Sequence, residues 1–186
     1  MRFITAPCVG RCEQAPVAVV GQNAIAHANA ALVLQKICEN ASIATPPKYL
    51  SLVEYRAEGG YARLLECVNG ERSDESVIKE LEDSGLRGLG GAGFPAGRKW
   101  RIVKAEPAPR LMAVNIDEGE PGTFKDRIYL ERDPHRFLEG MLIAAWAVGI
   151  DEIYIYLRDE YAEIRQILTD ERSCHRHTRS AACRRR

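Results

Sequence analysis

Between residues 85 and 97 the chain places six glycines in thirteen positions, in the order Gly85-Leu86-Arg87-Gly88-Leu89-Gly90-Gly91-Ala92-Gly93-Phe94-Pro95-Ala96-Gly97. No helix or strand tolerates that density, because each glycine costs conformational entropy and offers no side chain to pack. The segment is therefore a loop, and such a loop exposes amide N–H groups to close approach by a ligand. Gly88, Gly90 and Gly93 satisfy a G-x-G-x-x-G spacing. The context contradicts the usual dinucleotide-binding turn, which follows a strand, whereas the residues before Gly85 read as a helix. A P-loop fails too, since no glycine pair at the required spacing runs on into Lys and Ser or Thr. What survives is a glycine loop with Arg87, Arg98 and Lys99 at its ends and Phe94 inside it, a combination suited to a phosphate-bearing cofactor with a flat ring. A tight turn that packs two helices is the competing reading, and Trp100 reads as core.

A second motif follows a predicted buried strand, Arg110 to Val114. It is Asn115-Ile116-Asp117-Glu118-Gly119-Glu120-Pro121-Gly122-Thr123, with three carboxylates in four residues. Strand carboxyl ends are where α/β sheets hold ligands. Carboxylates so close together are costly unless something positive or hydrogen-donating is shared among them, such as sugar or ribityl hydroxyls, ring N–H groups or magnesium. The spacing is not that of an EF-hand, and a solvated acidic turn is the bland alternative.

Around these motifs the pattern predicts strands at Arg2–Ala6 and Pro16–Val20 and a helix over His27–Glu39, then a proline-bearing linker, Asn40 to Lys48. No element precedes the first strand, so this amino-terminal unit is not expected to close its own core. Residues 50–85 read as short helices, with Ser73 as an N-cap, Val77, Ile78 and Leu81 on one face and Gly85 as the stop. Arg98–Ala105 is expected to be helical, Asp133-Pro134 to open a helix running to about Val148, Glu152–Leu157 to alternate as a strand and Glu160–Leu168 to form a last helix. The alternation predicts an α/β layered domain with helices covering a largely parallel sheet. Arginine crowds residues 171–186, which read as an unpacked tail.

With 186 residues, the chain has room for one full-sized domain and a small piece of another. Zero formal net charge argues against a general nucleic-acid binder and predicts modest solubility near neutral pH. The longest nearly uncharged stretch, Gly140 to Ile150, is about half of the roughly 20 residues of a membrane-spanning helix, and no span is expected. The first residues carry no apolar run of signal-peptide length, so the expected compartment is the cytoplasm, where thiols stay reduced.

Taken together, residues 84–100 and 115–127 closely resemble the flavoprotein family that includes the NADH-oxidising 51 kDa subunit of respiratory complex I. NAD-dependent formate dehydrogenase beta subunits and the diaphorase subunits of NAD-reducing hydrogenases are similar to them as well. The likeness continues through Asp133-Pro134-His135, Leu138-Glu139-Gly140-Met141 and Tyr154 to Tyr161, and covers roughly residues 50–170. It implies an α/β layered FMN-binding domain of the complex I 51 kDa subunit type at 52–170. A partial thioredoxin-like unit would precede it at 1–40, with a linker at 41–51 and a non-homologous tail at 171–186. It implies an NAD(H)-dependent oxidoreductase subunit passing electrons between nicotinamide and iron–sulfur clusters. Gly88, Gly90 and Gly91 would embrace the FMN phosphate and ribityl chain, with Lys99 as the cation. Asn115, Asp117 and Glu118 would hold the flavin side of the pocket. Phe94 would stack on the nicotinamide nucleotide, and Glu120 would bind it as the residue assigned to catalysis.

The segment Ala6-Pro7-Cys8-Val9-Gly10-Arg11-Cys12 resembles the second half of a thioredoxin-like [2Fe–2S] ferredoxin module, which implies Cys8 and Cys12 as metal ligands. Four thiolates hold such a cluster, and the module's first cysteine pair is missing, so a [2Fe–2S] cluster is expected only if that pair is supplied from elsewhere. Cys38 and Cys67 match no motif. Fusion of this segment ahead of the flavin domain resembles a formate dehydrogenase beta subunit, whose partners would be iron–sulfur subunits and a molybdenum or tungsten alpha subunit. The flavoprotein subunit of complex I, that of an NAD-reducing hydrogenase, and a truncated inactive remnant are the alternatives. The family's later Cys-Gly-Glu-Glu loop and four-cysteine [4Fe–4S] site are absent, and the tail reads as the product of a frameshift. Cys174, His175, His177 and Cys183 in that tail fit no common zinc spacing.

Overall fold

The computed structural model describes residues 2, 4–89 and 91–171. In chain order these form a 3-10 turn at Cys12–Gln14, strands β1 (Ala18–Val20) and β2 (Asn23–Ile25), and helices α1 (Ala30–Cys38), α2 (Leu52–Ala57), α3 (Ala62–Val68), α4 (Asp74–Asp83) and α5 (Ala96–Ala105). Strand β3 (Leu111–Ile116), helices α6 (Lys125–Arg132) and α7 (Pro134–Val148), strand β4 (Glu152–Leu157) and a last helix, α8, over 162–171 complete the α/β order. The chain divides into two compact units: residues 1–50, 116–134 and 157–186 make one, and residues 51–115 and 135–156 the other.

In the second unit β3 pairs with β4 as the parallel pair of the sheet. Ser73 caps α4 by accepting the Ser76 amide at 3.1 Å, and Ile78 on its inner face is fully buried, worth about 1.5–3 kcal/mol. α4 lies directly against α5. A Cβ built on Gly97 would stand 2.7 Å from the Glu82 backbone nitrogen, so only glycine lets the two helices approach this closely. Arg101 of α5 grips Glu75 and Glu82, and Lys104 reaches Asp74. Beneath α2, Glu139 of α7 accepts the Tyr55 hydroxyl at 2.6 Å and the Tyr61 and Leu64 amides, while the Tyr61 hydroxyl bonds His135 Nδ1 at 3.0 Å. Every member of that network lies outside the two sequence motifs.

In the first unit β1 and β2 form an antiparallel hairpin pairing Val20 with Asn23 across Gly21, which sits at φ +65°. Asn29 caps α1. The core gathers Ile25, Ile116, Leu130, Tyr161, Ile164 and Ile167.

Several expectations are corrected. The described residues of the expected Arg2–Ala6 strand, 2 and 4–6, are exposed and form no strand. β2 went unpredicted because three residues after a tight turn carry little alternation. α6 went unpredicted because its buried positions include Arg127, a charge where an apolar residue is expected. The arginine-rich tail lies outside the described residues except for Glu171, which lies in α8 and accepts the Tyr49 hydroxyl at 2.8 Å. No helix among the described residues is long and apolar enough to cross a membrane.

Candidate functional site

The glycine loop is a closed turn whose base is laced and whose tip is bare. Gly88 N donates to Phe94 O at 3.0 Å and Ala96 N to Leu86 O at 2.8 Å, while the Arg87 guanidinium bonds Gly93 O at 3.1 Å. Gly85, Gly91 and Gly93 sit at φ between +60° and +71°, where L side chains are strained. Gly88 is different. Its φ is not positive, and a Cβ there would approach nothing nearer than Phe94 O at 3.9 Å, so neither backbone strain nor packing within the chain requires glycine. Gly91 likewise faces open space. Leu89, at the tip, is 95% exposed. Gly90 lies outside the described residues.

This loop delivers the chain into α5, whose N-cap is Pro95 and whose first turn has no side-chain cap and no acidic residue. Instead it carries Arg98 and Lys99. Free amides, the positive end of the helix dipole and added cations suit an anion there. The Arg98 guanidinium lies 5.8 Å over the half-exposed ring of Phe94. Lys99 and Asn115, from α5 and the end of β3, line one cavity of about 770 Å³, whose other walls include Trp100, Phe137, Met141 and Val148. Trp100 is thus half-buried against open space. Within this unit the structure brings Lys99 and Asn115 together and sets Gly88, Gly91 and Phe94 immediately before α5.

Asp117, Glu118, Glu120, Cys8 and Cys12 belong to the first unit. Glu118 is buried and turned inward: it accepts the Asp126 amide at 2.9 Å, the Arg127 amide at 3.3 Å and the Tyr161 hydroxyl at 3.0 Å. It therefore acts as the N-terminal cap of α6. Burial alone would raise its pKa, but the amides of Asp126 and Arg127, the Tyr161 hydroxyl and Lys125 outweigh that and hold it below the usual carboxylate range. Burial first, and then the bond to Glu118, push the Tyr161 hydroxyl well above its ordinary value. Glu120 stays exposed, and Gly122 turns the chain at φ +83°.

Around this loop lies a buried charged network that no local sequence pattern announces. Arg127 is 1% exposed; it donates to Gly10 O at 3.0 Å and pairs with Glu131 and Glu13. Arg11 pairs with Glu163 at 2.8 Å and Glu131 at 3.5 Å. Arg158 bonds the carbonyl oxygens of Glu118 and Cys8 and the Glu160 carboxylate. A buried glutamate or arginine requires a partner, so the density of Arg and Glu in these segments is the one signal that the sequence carried.

Cys8 and Cys12 are free thiols, and Cys12 Sγ accepts the Gly122 amide at 3.2 Å. Among the described residues no three His, Cys, Asp or Glu side chains are grouped to hold a metal ion. Two thiolates do not fit a [2Fe–2S] cluster, which needs four protein ligands. Cys67 is buried and Cys38 exposed, and neither joins them. FMN fits better, because the open space before Gly88 and Gly91 is one that a Cβ would take from a ligand.

Residues 81–182, more than half of the chain, match the family described as the Nuo51 FMN-binding domain. The chain is 48% identical over 127 residues to an NADH-quinone oxidoreductase subunit of Aquifex aeolicus, covering 68% of this chain and 29% of that protein. It is 50% identical over 95 residues to the NAD-reducing hydrogenase HoxS subunit alpha of Cupriavidus necator, covering 50% of this chain and 16% of the relative. Among solved structures, an NAD+-reducing [NiFe]-hydrogenase in the air-oxidized state superposes with a TM-score of 0.70 at 31% identity, over 94% of this chain and 33% of the other. The chain thus spans less than a third of the length of the two sequence relatives.

Proposed function

The chain belongs to the Nuo51 FMN-binding domain family, and on that premise we propose that it is a flavin- and nicotinamide-binding module of an NAD(H)-dependent oxidoreductase. The observation that carries the reading is Gly88. Its glycine is required neither by its own backbone angle nor by any packed neighbour, and it stands at the mouth of an uncapped, cation-bearing helix N-terminus. A phosphate-bearing ligand supplies the missing reason.

In this reading Gly88, Gly90 and Gly91 present the loop backbone to the FMN phosphate and ribityl chain, and Lys99 neutralises the phosphate. Asn115 and Asp117 hold the flavin by hydrogen bonds. Glu118 contributes by fixing the acidic loop on α6, since its carboxylate is bonded inward. Phe94 offers its half-exposed face to the nicotinamide nucleotide, and Glu120 binds that nucleotide and orients it. Bound FMN supplies hydride acceptance and the release of electrons one at a time; the chain supplies alignment. Its partners are subunits that carry iron–sulfur clusters, in the cytoplasm. The amino-terminal cysteine segment ahead of the flavin-binding residues supports, as a finer reading, an NAD-dependent formate dehydrogenase complex with a molybdenum or tungsten alpha subunit. The division into residues 1–40, 41–51, 52–170 and 171–186 belongs to the same proposal.

The test is a titration of the purified chain with FMN, followed by absorption and flavin fluorescence, and then with NADH. Saturable quenching followed by bleaching is the expected result. A folded chain that leaves flavin fluorescence unchanged at about 100 μM, so that its binding free energy is weaker than roughly −5.5 kcal/mol, rejects FMN binding by this chain alone and favours the inactive remnant.

A further inference from the structure

Arg158 follows β4 and is buried. Its guanidinium donates through Nη1 to Glu118 O and through Nη2 to Cys8 O, and its Nε bonds Glu160 Oε2 at 3.1 Å. The two carbonyls belong to segments more than a hundred residues apart in sequence. A planar fork with fixed donors sets the spacing of its acceptors, which a flexible ammonium cannot do. Three more contacts join the same two segments. Gly122 N donates to Cys12 Sγ, and Arg127, beside the acidic loop, donates to Gly10 O. Tyr161, bonded to Glu118, fills the space that a Cβ on Gly10 would need, 2.8 Å from its ring Cε1. Gly10, at φ +67°, is glycine for both reasons.

We infer that Arg158 is a positioning residue that locks the Cys8–Cys12 segment to the acidic loop 117–122. Displacing the Cys12 thiol therefore loosens the loop, and a ligand seated on the loop protects the thiol. Coupling of this kind is reciprocal in free energy: ligand binding and displacement of the thiol disfavour one another. The ligand half rests on the flavin and nucleotide reading above, and the mechanical half does not. The exposed position of Cys12, with its sulfur on a loop amide, makes it the point where a chemical change enters.

The experiment uses the full chain with Cys8→Ser, Cys38→Ser, Cys174→Ser and Cys183→Ser, so that the remaining thiols are Cys12, which is exposed, and Cys67, which is buried. Hydrogen exchange across residues 117–127 is read by mass spectrometry before and after iodoacetamide alkylates Cys12, with no ligand present. Alkylation is expected to raise exchange there about fivefold or more, the low end of ordinary site coupling. In Arg158→Lys, whose ammonium cannot hold both carbonyls, alkylation adds nothing further. No rise in the parent chain overturns the inference, and so does an equal rise in the lysine variant. Should that variant fail to fold, the parent measurement and Tyr161→Phe, which weakens the same joint, decide it in the same way. FMN is then expected to slow Cys12 alkylation about fivefold in the parent. Binding without protection overturns the ligand half. No binding counts against the flavin reading and leaves hydrogen exchange to decide the coupling.

Discussion

The glycine loop and the acidic loop solve opposite problems. The first, between α4 and α5, has its base closed by a few backbone bonds, while its tip stays bare at Gly88, Leu89 and Gly91. The second, between β3 and α6, has its central carboxylate capped by amides and a tyrosine and its backbone held by Arg158. One loop remains open at its tip, where a Cβ on Gly88 or Gly91 would meet no packed neighbour. The other is held by charges drawn from three separate stretches of sequence, 11–13, 127–131 and 158–163, while Glu120 faces outward. Availability can be written locally, whereas rigidity of this kind cannot.

The contrast breaks most visibly at Arg127. Replacing it by alanine strands Glu13 and the buried Gly10 carbonyl and leaves Glu131 with only its longer contact to Arg11, and the expected loss is about 3–5 kcal/mol, read as a lower midpoint in urea unfolding. No single change in the glycine loop should approach that value. A midpoint within experimental scatter of the parent would mean that the acidic loop does not depend on its charged frame.

Glu118→Gln is next. An amide NH2 would face donors on Asp126, Arg127 and Tyr161, and losing charge-assisted bonds of this kind costs about 1.5–3 kcal/mol. The effect carries a pH signature. The folded pKa of Glu118 is lowered, so its contribution is complete above the unfolded value of about 4.3 and disappears as pH falls through the lower folded value. The stability gap between parent and variant should therefore be constant near neutrality and close below about pH 4. A gap that widens on acidification would assign the bond to another protonation state. Gly97→Ala, outside the bare tip but at the foot of the same loop, is expected to cost about 1–3 kcal/mol, because its Cβ meets the Glu82 backbone and α4 must shift.

What the sequence made legible follows the same division. Ser73 as a cap, α5 and the bounds of β4 could all be read, because caps, glycine stops and alternation are local signals. The glycine segment was legible as a loop for the same reason. The inward turn of Glu118 was not, since the donors that claim it come from α6 and from Tyr161, 43 residues away. α6 was hidden because Arg127 occupies a core position that a hydrophobicity pattern marks as surface. β2 was hidden because a strand of three residues is defined by its partner more than by its own composition. The predicted Arg2–Ala6 strand errs in the opposite direction: its composition suits a strand, but no partner is present among the described residues.

The smallest effect on stability is the sharpest test of the comparison. At Gly88 the backbone angle is not left-handed and the space before it is open, so alanine can take its place without strain. Such a change leaves the native fold intact and reduces the freedom of the unfolded chain, a gain of about 0.4–1 kcal/mol where the conformation is compatible. Gly88→Ala should therefore melt at or slightly above the parent. If the loop exists to let a phosphate and its ribityl chain approach the backbone, the added methyl stands where they must lie, and the FMN Kd should rise about tenfold or more, some 1.4 kcal/mol. Stability and affinity then move in opposite directions, which a packing role for the glycine cannot produce. A variant that loses stability and keeps its flavin affinity would make Gly88 a structural residue, and the bare tip would lose its claim to be a site.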